Sequence, residues 1–176
     1  MKTLYLLRHA KAERDSESGE DFDRPLAKRG IRDAESLGRL LNVRNQRPDL
    51  IITSSARRTL ETVEHLTAEW PRPVPVVEEK ELYLATAEQL IAAARTAPDT
   101  AARVMLVGHN PGIEDLAVHL AQAFATEASN RMRGNFPTCA LGVFELSIEH
   151  WAYVSWDLAR MSFYGGPKDL ADIGRA

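Results

Sequence analysis

The chain has 176 residues, with 22 lysines and arginines against 25 aspartates and glutamates, a formal charge of −3, and 44% hydrophobic residues. That length suits one domain with a self-sufficient core, and the mildly acidic balance argues against a polybasic nucleic-acid or membrane-surface protein. The single cysteine, Cys139, rules out an intramolecular disulfide and a zinc-finger ligand set.

No apolar run approaches the roughly 18 residues of a transmembrane helix. The opening stretch Thr3-Leu4-Tyr5-Leu6-Leu7 meets Arg8 and His9 before it reaches the roughly 7–15 apolar residues of a signal peptide. The expectation is therefore a soluble, reduced, cytoplasmic protein folded as one domain over 1–176.

In chain order, residues 3–7 read as a buried strand. Residues 12–25 read as a polar loop in which Asp15, Glu17, Glu20, Asp21 and Asp23 lie between Arg14 and Arg24. Ile31, Ala34, Leu37, Leu40 and Leu41 recur at helical spacing over about 27–43. A second buried strand, Leu50-Ile51-Ile52, ends at Thr53-Ser54-Ser55, which can cap a helix over about 56–69 with Leu60, Val63 and Leu66 as its stripe.

Val74 to Val77, set among Pro71, Pro73 and Pro75, reads as an edge strand at best. Thr86 and Gln89 form a capping box for a helix to about Arg95. Val104-Met105-Leu106-Val107 is a third buried strand. After it, Asn110 is placed to cap, and Pro111 to begin, a helix carrying Ile113, Leu116, Ala117, Leu120 and Phe124. Residues 126–137 read as loop, 139–146 and 150–156 as a hairpin around Glu149, and 159–176 as an irregular tail. Alternating strands and helices imply an α/β fold: three layers, α/β/α, around a central and mostly parallel sheet.

In such sheets ligands gather at the carboxyl ends of strands. Three of those ends carry reactive groups: Arg8-His9-Ala10-Lys11, Ser54-Ser55-Ala56-Arg57-Arg58 and Gly108-His109-Asn110-Pro111-Gly112. Arginines in a first helical turn oppose the helix dipole unless an anion offsets them. A phosphate does so, taking guanidinium forks and backbone N–H groups together. Alone, a histidine after a strand is more often structural and a loop arginine is usually solvated, but the coincidence at three strand ends favours function.

The other histidines look ordinary: His65 and His119 lie within helices, and His150 opens the last predicted strand. No His-Glu-x-x-His spacing marks a metal site. Cys139 lacks a following Cys-x5-Arg loop and reads as a small packing residue. Asp21-Phe22-Asp23 sits in a polar loop and not on a buried strand, which argues against an aspartyl nucleophile. The acidic run 15–23 reads as a solvated loop whose position after His9 also suits a lid or rim. No Walker loop, Gly-x-Ser-x-Gly or Gly-x-Gly-x-x-Gly motif is present.

Leu6-Leu7-Arg8-His9-Ala10 resembles the Arg-His-Gly signature of the histidine phosphatase superfamily, which includes the phosphoglycerate mutases. Ser54 to Thr62 resembles its Ser-x-x-x-Arg-Ala-x-x-Thr element, and Val107-Gly108-His109-Asn110-Pro111 its second-histidine motif. The small size and Arg24-Pro25-Leu26 are most similar to SixA-type phosphohistidine phosphatases. The ordered set spans roughly residues 1–125.

The resemblance implies a phosphoglycerate mutase-like fold and cofactor-independent phosphoryl transfer. His9 would be the nucleophile, with Arg8, Arg58, His109 and Asn110 binding the phosphoryl group, no metal, and Glu81 as proton donor ahead of its rivals Glu78 and Glu79. The spacing from Ser54 selects Arg58 over Arg57. A neutral His9 needs an acceptor for its second N–H, expected to be a backbone carbonyl. Ala10 departs from the usual glycine. The implied substrate is a phosphorylated protein, most simply a phosphohistidine domain, or else a small phosphate ester. An inactive phosphate-binding module is the reading from another class.

Overall fold

The computed structural model describes residues 1–121, 130, 132, 134–156, 159–167 and 169. Its centre is a six-stranded sheet built from β1 (Lys2–Arg8), β2 (Leu50–Ser54), β3 (Val76–Glu79), β4 (Arg103–Gly108), β5 (Leu141–Leu146) and β6 (Ala159–Gly165), in the order β3-β2-β4-β1-β5-β6. β3, β2, β4 and β1 pair in parallel, whereas β5 is antiparallel to both β1 and β6. The mostly parallel sheet expected from the alternating pattern is the observed one.

Strand periodicity divides the core. Tyr5, Leu7, Ile51, Met105 and Val107 face α1 (Lys28–Val43) and α2 (Arg57–Thr67), meeting Ala34, Leu37, Leu41, Val63 and Leu66. The alternate residues Leu4, Leu6, Ile52, Val104 and Leu106 face α3 (Ala87–Arg95) and α4 (Gly112–Ala121), meeting Leu90, Ile91, Ala94, Leu116 and Leu120. This alternation is what a strand buried on both faces requires. The capping box at the start of α3 is present, with Thr86 Oγ1 accepting the Gln89 N–H and Gln89 Oε1 accepting the Thr86 N–H.

The chain leaves β1 toward the α1–α2 layer and leaves β4 toward the α3–α4 layer, although β1 and β4 are neighbours in register from Thr3↔Arg103 to Arg8↔Gly108. Their diverging loops open a crevice at the carboxyl end of the sheet, the switch point at which α/β proteins bind ligands. Two glycines hold the loops beside it. A Cβ at Gly30 would lie 2.1 Å from the Lys11 carbonyl oxygen, and one at Gly112 would lie 1.9 Å from that of Ala85. Only a residue without a side chain permits either approach.

Several expected details differ. α2 takes Ala56 as its N-cap with no side-chain cap, because Ser54 is still within β2 and its hydroxyl accepts the Ala56 N–H from there. α4 begins at Gly112, not at Pro111, and the amide of Asn110 bonds Glu114 and the Phe136 carbonyl instead of capping the helix.

Residues 150–156 are not a strand. They include a 3-10 turn, Trp151–Tyr153, because the Trp151 N–H is held by Asp99 and its indole N–H by the Ala101 carbonyl. The last strand is instead β6, so 159–165 is not an irregular tail: Ala159 to Gly165 supplies the sixth strand by pairing with β5. Asn130 and Met132 are helical, where loop was expected over 126–137. Phe124, the rest of 122–129, residues 131 and 133, and 170–176 lie outside the described residues. Among the described residues, no helix is long and apolar enough to cross a membrane.

Candidate active site

β1 delivers Arg8 and His9 to the crevice floor. The His9 N–H bonds the Gly108 carbonyl across to β4, and the Cys139 N–H bonds the carbonyls of both Arg8 and His9 from beneath. Ala10 is fully buried, and its N–H donates to Thr62 Oγ1 at 3.0 Å while Thr62 Oγ1 donates to the Arg58 carbonyl. Its φ is not positive, so an alanine stands at this point without backbone strain.

His9 is 8% exposed, and its Nδ1–H donates to the Ala10 carbonyl at 2.7 Å. That bond fixes the tautomer and leaves the Nε2 lone pair for the crevice. Burial pushes the His9 pKa down to about 4. The Ala10 bond opposes the shift, and Arg58 and Arg8 reinforce it. A neutral imidazole at pH 7 is the form that can attack an electrophile.

His109, at the end of β4, lies with its ring 5.2 Å from that of His9. Its Nε2 is 2.9 Å from Ser54 Oγ, which already accepts the Ala56 N–H at 3.3 Å. The serine proton is thus available to Nε2, leaving Nδ1–H as a donor. Burial first, then the neighbouring His9 and Arg58, push the His109 pKa down to about 3.

Arg58 is 3% exposed, whereas the Arg57 side chain is half exposed and paired with Glu61 on the outer surface at 2.7 Å. The crevice arginine of α2 is therefore Arg58. Its Nη1 donates to the Asp21 carbonyl at 2.6 Å and its Nη2 to Asp21 Oδ2 at 3.0 Å. Arg8 Nη1 and Asn110 Nδ2 both donate to the Phe136 carbonyl, at 2.8 and 3.1 Å.

Among the described residues, the buried side-chain polar atoms without a partner are Arg8 Nε, Arg58 Nε, His109 Nδ1, Asn110 Oδ1 and Ser55 Oγ. All but the last belong to residues lining the crevice. Buried polar groups are normally satisfied, so this concentration marks a place prepared for a polar ligand. The crevice encloses about 420 Å³.

Three further charged lining residues were not singled out as site residues from sequence. Asp21, on the acidic loop, accepts bonds from Tyr83 Oη at 2.7 Å, Arg58 and Arg24. Those three donors, Tyr83 foremost, hold its carboxyl well below the usual carboxylate range. Arg24 and Lys11 also line the crevice.

Glu81 does not line the crevice. It is exposed on the 3-10 turn Lys80–Leu82, where Leu82 takes the buried position and the following Tyr83 and Leu84 turn toward the site. Glu78 and Glu79 lie on the edge strand β3, also outside the lining. No group of three or more potential metal-ligating side chains occurs among the described residues.

Known proteins resemble this chain in sequence and in fold. The sequence profile of the histidine phosphatase superfamily (branch 1) matches residues 4–83. An uncharacterised protein of Mycobacterium tuberculosis is 30% identical over 164 residues, covering 92% of this chain and 100% of that protein. Two solved structures assigned as the phosphohistidine phosphatase SixA superpose on the chain. The one from Nakamurella multipartitia has a TM-score of 0.81 at 27% identity, over 94% of this chain and 96% of that one. The one from Agrobacterium tumefaciens has a TM-score of 0.75 at 31% identity, over 94% and 98%.

Proposed function

The chain belongs to the histidine phosphatase superfamily and is of the SixA type, and we propose that it removes the phosphoryl group from a protein-borne phosphohistidine by way of a phosphohistidine on its own His9. Nε2 of His9 attacks phosphorus, the substrate's imidazole leaves, and water then hydrolyses the enzyme's phosphohistidine. Arg8, Arg58 and the Nδ1–H of His109 bind the phosphoryl oxygens, while Asn110, whose amide hydrogens are held by Glu114 and the Phe136 carbonyl, braces the wall beside them. Their charge and dipoles stabilise a transition state whose negative charge is spread over three equatorial oxygens. No metal or cofactor enters the scheme.

The observation that carries the choice of substrate is the carboxyl chemistry of the crevice. Among its described lining residues the carboxyl group is Asp21, held ionised by Tyr83, Arg24 and Arg58, and Glu81 lies outside. A group held as a carboxylate cannot give a proton to an alkoxide, so departure from a sugar or alkyl phosphate goes unassisted. An imidazole protonated on its far nitrogen departs from phosphorus as a neutral molecule. The rim fits a macromolecular substrate too: Leu84 is 53% exposed there, beside exposed Lys11 and Asp21.

The test is phosphate release, with chelator present, from a phosphohistidine peptide and from a panel of O-phosphates, using His9→Ala as the control. A strong preference for the phosphohistidine peptide, lost in the variant, is the expected result. Preference for an alkyl ester would move the enzyme to metabolite chemistry, and no release from any substrate would leave a phosphate-binding module.

A further inference from the structure

Asp21 is out of place in a pocket for an anion. Two arginines, a neutral histidine donor and unpartnered N–H groups prepare the crevice for a phosphoryl group, yet a carboxylate lines the same space. Both of its carboxylate oxygens are hydrogen-bonded. Oδ2 accepts from Tyr83 Oη and Arg58 Nη2, Oδ1 accepts from Arg24 Nη1, and the Asp21 backbone carbonyl takes the second Arg58 bond. A carboxylate accepts about four hydrogen bonds. Three are made, and the side chain is 48% exposed, so Oδ1 keeps room for one more donor at the crevice mouth. Placed there, a carboxylate repels the phosphoryl group unless the substrate itself brings a donor or a positive charge to meet it.

We infer that Asp21 determines the leaving group, its carboxylate accepting the distal ring N–H of the substrate's phosphorylated imidazole. The inference rests on the phosphohistidine reading above and adds how that substrate is told apart from an ester. As His9 Nε2 forms its bond to phosphorus, the substrate's P–N bond breaks and its electron pair returns to the ring nitrogen. The proton stays on the distal nitrogen throughout, so a neutral imidazole departs and the enzyme donates no proton. A fixed negative charge beside the distal nitrogen raises the fraction of substrate rings that carry that proton. Tyr83 is the positioning residue: its hydroxyl orients the carboxylate, and its ring packs edge-on to His109 at 5.4 Å. A phosphate ester has no N–H to offer Asp21 and meets only its repulsion.

The experiment compares kcat/KM for N-phosphoimidazole with kcat/KM for p-nitrophenyl phosphate, whose leaving group needs no acid and carries no N–H, in the wild type and in Asp21→Asn. The asparagine keeps an oxygen acceptor for Arg58 but removes the charge. The ratio of the two constants should fall about tenfold or more, the size of one charge-assisted hydrogen bond. Asp21→Glu should restore part of it. A ratio unchanged in Asp21→Asn, with both constants reduced together, would mean that Asp21 only holds Arg58, and would overturn the inference while leaving the phosphohistidine reading intact. A wild type that hydrolyses the aryl ester but not phosphoimidazole would overturn both.

Discussion

Arg57 and Arg58 are adjacent in sequence and identical in chemistry, so they offer a controlled comparison of what burial does. Arg58 is 3% exposed, directed into the crevice, with Nε unpartnered and its two Nη groups on Asp21. A bound phosphoryl group gains from it a charge-assisted bond of about 1.5–3 kcal/mol, and the fork geometry allows a second. Taking about 3 kcal/mol for the whole contact, Arg58→Ala should weaken inorganic phosphate roughly 150-fold as a competitive inhibitor. Arg58→Lys should recover only part of that, because an ammonium lacks the planar fork.

Arg57 points outward to Glu61 one helical turn away, so Arg57→Ala should leave the inhibition constant unchanged within error. The assay is the inhibition constant of phosphate in each variant, with a thermal melt to confirm folding. Equal losses at the two positions, in folded proteins, would refute the assignment of Arg58 to the phosphoryl group.

The remaining predictions concern His9, the fold and the metal question. Neutral Nε2 is required for attack, so with p-nitrophenyl phosphate, whose leaving group has no ring nitrogen to titrate, the limb that His9 adds to the kcat/KM profile should fall near 4; a His9-dependent limb centred at 6.5 would show that burial does not act on this histidine as described. Folding reports the same group. The unfolded chain takes up the proton near pH 6.5 and the folded one near 4, so protonation favours unfolding: the cost is absent above 6.5 and grows as pH falls toward 4. From His9 it amounts to about 2 kcal/mol at pH 5, and urea melts of His9→Ala should show that much less loss between pH 7 and pH 5 than the wild type. In Gly112→Ala, the new Cβ would meet the Ala85 carbonyl at 1.9 Å, so α4 must shift. A loss of about 2 kcal/mol or more in the same melts is expected, and an unaltered midpoint would contradict the close approach. Turnover should survive prolonged treatment with EDTA; loss restored by a divalent cation would sink the metal-free scheme.

What the sequence determined by itself is whatever rests on periodicity and on short-range spacing. The short apolar runs of β1, β2 and β4, the helical stripes of α1 and α2, and the Thr86–Gln89 box are local properties, and each is found where the residues placed it. The strand-end groups were legible for the same reason: a parallel sheet with helical crossovers brings the residues after β1, β2 and β4 to one end, whatever else the fold does.

Contacts between distant segments were not legible. Asp21 looked like one acid among five in a solvated loop, and its role depends on Arg58 and Tyr83, which lie 37 and 62 positions along the chain. Glu81 is exposed while the adjacent Leu82 is buried and Tyr83 packs against His109, a distinction the 3-10 turn at Lys80–Leu82 makes and composition does not. β6 was hidden because its residues alternate only loosely between buried and exposed; it is a strand because β5 presents an unpaired edge. Trp151, with the β propensity of a strand residue, is instead drawn into a turn by Asp99 and Ala101. Chain-local chemistry chose the elements and the reactive groups. Only tertiary packing decided which neighbour of each group faces the crevice, because that choice is set by hydrogen bonds and burial between segments that the linear sequence keeps apart.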